Sequence, residues 1–264
     1  MKFAFSTLGC PRWEFKDILS TARDLGYDGV EIRGIGNDIY IPDSKLFQKG
    51  NIEATKTAIL KSGMRLICLT SSAYLHLDDK DYVAEAKAYI DVANEIGTPY
   101  VRVLGDTTGE PSDGVDVDKV TQKLIDILSY AREKDVVVLL ETNGVFADTE
   151  LALKVVKELN NPYFGLLWDI HHTYRYFNES FSDTYDRIGQ YVRHIHIKDS
   201  VMENGKVKYK MLGHGDIPIK ELMQILKKNS YNHFVCLEWL KRWNSELEEP
   251  GIIFSHFISK IKSY

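Results

Sequence analysis

Residues 136–141 read VVVLLE, residues 164–169 read FGLLWD and residues 234–238 read FVCLE. Each of these stretches is an apolar run that ends in a carboxylate, at Glu141, Asp169 and Glu238. Short apolar runs of this kind are typical of strands buried on both faces of a parallel sheet. Since the carboxyl ends of parallel strands meet at one edge, we expect the three carboxylates to lie close together.

Eight strand-like runs alternate with helical patterns along the chain, which predicts repeated βα units. We predict strands at residues 3–6, 29–33, 64–69, 100–104, 136–141, 164–169, 192–198 and 233–239. Gly26, Gly63 and Gly97 each close a helical pattern just before a strand, as a glycine in left-handed conformation does. The pattern predicts a single (β/α)₈ TIM barrel over residues 1–264, because this fold takes about 250 residues. An open doubly wound sheet is the alternative, but the first βα turn, STLGCP at residues 6–11, lacks a glycine-rich phosphate loop.

The composition narrows the range of partners. The chain is 44% apolar and 27% charged, and no apolar run is long enough to span a bilayer, so we expect no membrane association. A net charge of −5 without a basic stretch argues against nucleic acid as a partner. The first residues, MKFAFS, read as a strand and not as a signal peptide, and the three cysteines are widely spaced, so we expect a cytoplasmic protein with reduced thiols. Composition leaves the formation of a homo-oligomer open.

The seventh predicted strand has one polar face. His194, His196 and Lys198 share this face by the strand period of two, while Ile195 and Ile197 share the other. The apolar face suits packing against helices, so the polar face points into the barrel. We expect His196 to lie at the same rim as the three carboxylates, and His194 to be a hydrogen-bonded core residue or a support for the site.

Three carboxylates at one rim repel one another unless a cation compensates them. With an imidazole beside them, they suit one divalent metal ion, Mn²⁺, Mg²⁺, Co²⁺ or Zn²⁺. Taken singly, each carboxylate has a simpler interpretation as a helix cap or a partner in a surface ion pair. The occurrence of three carboxylates and an imidazole at four strand ends favours a metal site over these simpler interpretations.

Several other residues are candidates to contact a substrate. Arg102 and Lys198 end or follow strands at the same rim, where they could bind a phosphate, a carboxylate or a sugar hydroxyl. The alternative is that both simply balance the carboxylates, because buried cations are usually paired. Trp13 and Trp239 are ordinary core aromatics in the simplest interpretation, and stack on a sugar ring in the other.

The chain resembles the xylose-isomerase-like superfamily of sugar-phosphate isomerases and epimerases, which also includes D-tagatose 3-epimerase, inosose dehydratase and endonuclease IV. The resemblance covers essentially the whole chain and rests on motifs that occur in order. They are STLGCP at residues 6–11, GYDGVE at 26–31, YVRV at 100–103, LETN at 140–143, WDIHH at 168–172, HIHIKD at 194–199, GHGDIP at 213–218 and LEW at 237–239.

The resemblance implies a role for each residue of the rim. The metal ligands would be Glu141, Asp169, His196 and Glu238, and His172 would bind a substrate oxygen. Glu141 and Glu238 would also form the acid–base pair that moves a proton next to a carbonyl, through an enediolate intermediate. The chain would then be a metal-dependent isomerase or epimerase of a small sugar or sugar phosphate.

Three other functions remain as alternatives. A metal-dependent dehydratase or lyase of the inosose dehydratase type would use the same first step and then expel hydroxide. An endonuclease IV-like nuclease needs further metal ligands, and residues 69–72 LTSS, 103–106 VLGD and 207–211 VKYKM offer no ligand histidine. A sugar-binding barrel without catalysis is the third, and the acid–base candidates argue against it.

Overall fold

Eight parallel strands close into a barrel in the computed structural model, which describes residues 1–264. The barrel strands follow the order β1-β10-β7-β6-β5-β4-β3-β2. Their bounds are β1 Lys2–Ser6, β2 Gly29–Ile32, β3 Leu66–Tyr74, β4 Tyr100–Leu104, β5 Val137–Glu141, β6 Phe164–Asp169, β7 Val192–Ile197 and β10 Phe234–Leu237. Closure between β1 and β10 excludes the open doubly wound sheet and confirms the predicted barrel.

Nine helices surround the barrel. They are α1 Phe15–Asp24, α2 Ile52–Ser62, α3 Tyr82–Ile96, α4 Val117–Glu133, α5 Thr149–Leu159, α6 Ile170–Phe177, α7 Phe181–Ile188, α8 Ile219–Lys228 and α9 Pro250–Lys262. Helix α4 shows why they form: Val120, Leu124 and Leu128 recur on one face and are buried against the strands. The predicted helix ends are confirmed, because Gly26, Gly63 and Gly97 all have positive φ, between 72° and 79°.

The barrel interior holds two kinds of side chain. Ala4, Cys68 and Cys236 belong to a small apolar cluster of their own. In the strand register Ala4 pairs with Cys236, and Cys236 pairs with His196, so these three paired residues all point into the barrel. All three cysteines are buried free thiols. The outward faces of the strands pack on the helices and form the main core, to which Ile195 and Ile197 belong.

A two-stranded antiparallel hairpin follows β7 and was not among the predicted elements. It consists of β8, Asp199–Glu203, and β9, Lys206–Lys210, joined by a turn in which Asn204 and Gly205 both have positive φ. The hairpin rises from the end of the barrel where the strands terminate and carries Tyr209 towards it. No helix of the chain has the length and apolar character needed to cross a membrane.

Candidate active site

Four predicted site residues converge at the carboxyl end of the barrel. Each of them offers one ligand atom, and these atoms all lie within 4.8 Å of one another. Glu141 and Asp169 are the last residues of β5 and β6, His196 lies on β7, and Glu238 follows β10. Register explains the convergence, since Asp169 pairs with His196 across neighbouring strands. All four side chains are buried, so the group is an internal polar cluster and not a surface ion-pair network.

The ring of His196 provides the clearest sign that the cluster can hold a cation. Its Nε2 hydrogen-bonds Glu31 Oε2 at 2.7 Å, whereas its Nδ1 is buried and has no hydrogen-bond partner. Nδ1 lies 3.4 Å from Glu238 Oε1, 3.8 Å from Glu141 Oε1 and 4.0 Å from Asp169 Oδ2. Burial acts to lower the pKa of His196, but Glu31 and Glu238 outweigh it and raise that pKa. A metal ion that takes the place of the Nδ1 proton would meet the Nδ1 lone pair and the three carboxylates, while Nε2 donates to Glu31. Three carboxylate oxygens and this nitrogen fit a hard or borderline divalent cation.

Glu31 is a buried residue of the candidate site that the sequence analysis did not single out. Its Oε2 accepts hydrogen bonds from both His194 Nε2, at 2.8 Å, and His196 Nε2. Burial acts to raise the pKa of Glu31, but the two imidazoles outweigh it and hold that pKa well below its usual value. The expected supporting role of His194 agrees with this contact. The available signal was a charged residue between Val30 and Ile32 in an otherwise apolar strand.

Two buried cations neutralise part of the negative charge. Arg102 Nε lies 3.1 Å from Glu141 Oε2, and the Lys198 ammonium contacts both Asp169 Oδ2 and Glu238 Oε2. Burial acts to raise the pKa of Glu141, but Arg102 and His196 outweigh it and lower that pKa. Both cations therefore balance carboxylates, as one of the two interpretations expects. Both also line the cavity beside the cluster, which leaves their contact with a substrate a prediction.

His172 lies beside the cluster on the first turn of α6. The turn is set by Asp169, which caps the helix: its Oδ1 accepts from the backbone nitrogens of His171 at 3.0 Å and His172 at 3.4 Å. His172 Nδ1 lies 3.2 Å from the carbonyl oxygen of Thr142, so in the neutral ring it donates there, and Nε2 faces the cavity 3.7 Å from Asp169 Oδ2. Burial lowers the pKa of His172 and favours this neutral form.

A segment between β4 and α4 covers His172. Gly109 lies so close that an added Cβ would come 2.6 Å from His172 Nε2. The segment is anchored by Asp106, whose carboxylate accepts from the backbone nitrogens of Thr107 at 2.6 Å, Ser112 at 2.9 Å and Val145 at 3.0 Å. A side chain at Gly109 would therefore displace either the covering segment or the histidine.

A cavity of about 210 Å³ opens above the cluster. Besides the rim residues already described, it is lined by Leu8, Arg33, Tyr74, Leu104, Thr107, Asn143, Tyr176, Tyr209, Leu240 and Trp243.

The suggested stacking role of Trp239 is wrong, because this residue is 1% exposed and its Nε1 donates to the carbonyl oxygen of Glu248. Trp13 also lies outside this cavity and packs edge-on against Phe254.

A second, larger cavity of about 500 Å³ lies at the opposite mouth of the barrel. It is lined by the amino-terminal ends of strands and their preceding loops. Its charged or titratable residues are Lys2, Arg65, Tyr100 and His233, and it has no carboxylate. Parallel-barrel enzymes carry their chemistry at the carboxyl ends of the strands, where the smaller cavity lies. The smaller cavity is therefore the candidate active site, although the other cavity is larger.

Comparison with known proteins assigns the barrel to a family. Residues 19–253 match the family described as xylose isomerase-like TIM barrel. The chain belongs to this family. A fructoselysine 3-epimerase from Shigella flexneri is 24% identical over 261 residues, which cover 93% of this chain and 92% of that protein.

Solved structures share the fold at low sequence identity. The probable 3-DHS dehydratase AsbF from Bacillus anthracis has a TM-score of 0.79 at 16% identity, covering 99% of each chain. D-psicose 3-epimerase from Clostridium cellulolyticum H10 has a TM-score of 0.78 at 17% identity, covering 100% of this chain and 98% of that one. The IOLI protein, solved with a bound zinc atom, has a TM-score of 0.75 at 17% identity, covering 100% of this chain and 96% of that one.

Proposed function

We propose that this chain is a divalent-metal-dependent epimerase that acts next to the carbonyl of a small ketose or ketose derivative. The observation that carries the proposal is the convergence of Glu141, Asp169 and Glu238 on the unpartnered Nδ1 of His196. The match to fructoselysine 3-epimerase along 93% of the chain supports epimerisation over the other reactions of the family.

The metal would be held by the carboxylates of Glu141, Asp169 and Glu238 and by His196 Nδ1. Mn²⁺, Mg²⁺, Co²⁺ and Zn²⁺ all suit this set of oxygen and nitrogen donors. Bound there, the ion would supply positive charge beside a substrate carbonyl and make removal of the neighbouring C–H proton easier. The net charge of the donors is −3 when the carboxylates are ionised, and Arg102 and Lys198 keep part of it compensated.

Glu141 and Glu238 are the groups we expect to move the proton. Their strands, β5 and β10, are separated in the barrel by β6 and β7, so the two carboxylates approach the cluster from different sides. Each has one oxygen paired with a cation, Arg102 for Glu141 and Lys198 for Glu238, which fixes its orientation. Inversion at carbon needs a proton removed from one face and returned to the other, which two separated carboxylates can provide.

His172 would orient the substrate. Its Nε2 faces the cavity, and the Nδ1 contact with the Thr142 carbonyl holds the ring in place. In the neutral form Nε2 accepts a hydrogen bond, so it would bind a substrate hydroxyl next to the carbon that loses its proton.

Proton exchange with solvent tests the proposal. We would incubate metal-reconstituted protein in D₂O with fructoselysine, D-fructose, D-tagatose and D-psicose, and follow deuterium at the carbon beside the carbonyl by NMR. Epimerisation predicts one deuterium in the inverted product. Deuterium in an aldose would show isomerisation, loss of water would show a dehydratase, and no exchange with any substrate would support a binding barrel and contradict the proposal.

Glu141→Gln and Glu238→Gln separate proton transfer from metal binding. Each change keeps a ligand oxygen and removes the basic site, so we expect metal content to persist and exchange to fall about 10²- to 10⁴-fold. Glu53→Gln, at an exposed position on α2, serves as the control and should exchange at the unmodified rate. If both active-site variants exchange like the control, the assignment of the acid–base pair is wrong and Lys198 becomes the better candidate.

A further inference from the structure

Arg33 is a buried arginine beside the active site that no acidic side chain neutralises. It follows β2, is 6% exposed and lines the same cavity as Glu141 and Glu238. Its Nη2 donates to Ser72 Oγ at 2.6 Å, while its Nη1 is buried without a hydrogen-bond partner. No carboxylate oxygen lies within 4.0 Å of its guanidinium, in contrast to Arg102 and Lys198, which are both paired.

This arrangement is unfavourable for the free protein. Burial and the like charge of Arg102 lower the pKa of Arg33. An arginine nevertheless stays charged in proteins, so the chain keeps a buried cation without a partner of its own. Such a group costs stability unless a ligand completes it. A negatively charged acceptor would both satisfy Nη1 and neutralise the guanidinium, and the cavity is the place from which it can approach.

Backbone hydrogen bonds and an aromatic contact restrain the position of the Arg33 guanidinium. The backbone nitrogen of Arg33 donates to Thr7 Oγ1 at 2.9 Å, and Thr7 Oγ1 donates to the carbonyl oxygen of Gly34 at 2.6 Å. Arg33 Cζ lies 5.6 Å from the ring centroid of Trp243, a cavity-lining residue that is 56% exposed. The cation–π contact and the fixed backbone hold the planar guanidinium in one orientation. It is therefore preorganised to bind two oxygens of one acceptor.

We propose that Arg33 binds an anionic group of the substrate, a carboxylate or a phosphate, remote from the carbon that exchanges its proton. Arg102 and Lys198 are already paired with the carboxylates of Glu141, Asp169 and Glu238, which leaves Arg33 as the cavity cation that has no carboxylate partner of its own. This inference rests on the proposed function, and it narrows the substrate from any small ketose to an anionic ketose derivative.

Pairs of ligands with and without an anionic group test the inference. One pair is D-fructose 6-phosphate and D-fructose, and the other is fructoselysine and its carboxamide. Calorimetric titration of metal-reconstituted protein should give about 10- to 100-fold tighter binding of the ligand with the anionic group in at least one pair, and the responding pair identifies phosphate or carboxylate. Arg33→Met should remove this preference, because it should weaken binding of the ligand with the anionic group more than binding of its neutral counterpart. Arg33→Lys should keep part of the preference, and Arg23→Met on exposed α1 should keep all of it.

Thermal stability gives a second readout that a purely structural arginine would not produce. We expect Arg33→Met to melt at the same temperature as the unmodified protein or higher, because it removes an unpaired buried charge. Inorganic phosphate or acetate should raise the melting temperature of the unmodified protein and not that of Arg33→Met. A lower melting temperature for Arg33→Met, in phosphate-free and acetate-free buffer, would show a structural role and overturn the inference.

Two further outcomes would also overturn it. One is a preference for the anion that persists in Arg33→Met, and the other is no preference in either pair together with no stabilisation by phosphate or acetate. Measuring proton exchange between substrate and D₂O distinguishes failure of the Arg33 inference from failure of the proposed function. Exchange into D-fructose without any preference for anions would refute the Arg33 site alone, whereas Arg33-dependent anion binding without exchange on any ligand would refute the epimerase alone.

Discussion

Replacing Glu31 by glutamine should weaken metal binding although Glu31 lies outside the proposed ligand set. Glu31 Oε2 accepts hydrogen bonds from His194 at 2.8 Å and from His196 at 2.7 Å, and all three side chains are fully buried. Glutamine has nearly the same volume, but it is uncharged and presents one amide nitrogen as a donor. Both imidazoles donate to the same oxygen, so an amide oxygen at that position can accept from both, but neither imidazole keeps its charged acceptor.

The size of the effect follows from these contacts. A hydrogen bond to a charged group contributes about 1.5–3 kcal/mol, so the free energy of unfolding of the metal-free protein should fall by about that amount. Removing a carboxylate that orients a metal-binding histidine typically lowers metal affinity by about 10- to 100-fold. We expect this loss for Mn²⁺, because the His196 ring would no longer be held with Nδ1 towards the carboxylates.

Competition with a fluorescent chelator measures the Mn²⁺ affinity, and urea unfolding measures the stability. Glu85→Gln is the matched control, since Glu85 is also a buried glutamate, 4% exposed, but bonds the backbone nitrogen of Ser72 and pairs with Lys80 away from the cluster. The control should lose stability and keep its Mn²⁺ affinity. An affinity for Glu31→Gln within threefold of the unmodified protein would refute the reasoning.

Two other changes probe the residues around the cluster. His172→Gln should retain one equivalent of metal by elemental analysis and lose solvent exchange, since the side chain faces the cavity and lies outside the proposed ligand set; loss of metal together with activity would make His172 a ligand instead. Lys198→Met should lower the melting temperature of the metal-free protein, because Asp169 and Glu238 lose their shared ammonium, and should raise Mn²⁺ affinity, because a positive charge beside the ion is gone. Weaker Mn²⁺ binding in Lys198→Met would contradict this account of the charges.

The fold could be predicted from the sequence because each strand is encoded by a short local pattern of residues. The barrel strands are short and rich in apolar residues, and the alternation of polar and apolar residues over 192–198 already indicated which face of β7 points inward. The hairpin of β8 and β9 was missed because Lys206–Lys210 alternates charged residues with apolar ones and offers no buried run. The dipeptide Asn204-Gly205 was the local signal that could have identified it, since both residues adopt the positive φ of a tight hairpin turn.

The site could be predicted only in part, and the physical reason is distance along the chain. Glu141, Asp169, His196 and Glu238 end or nearly end their strands, so barrel closure alone brings them to one rim. The contact between Glu31 and His196 joins residues 165 positions apart across the barrel interior, and no local pattern encodes it. Arg33 is the same kind of case, because the absence of an acidic partner is a property of its surroundings and not of the segment that carries it.

Anomalous diffraction from crystals grown with Mn²⁺ tests the central claim most directly. The account predicts one anomalous peak per chain, at about 2.0–2.3 Å from a carboxylate oxygen of Glu141, Asp169 and Glu238 and from Nδ1 of His196. It also predicts that Nε2 of His196 stays bonded to Glu31. A peak elsewhere in the chain, no peak at this cluster in Mn²⁺-saturated crystals, or an ion bound through Nε2 would contradict the account.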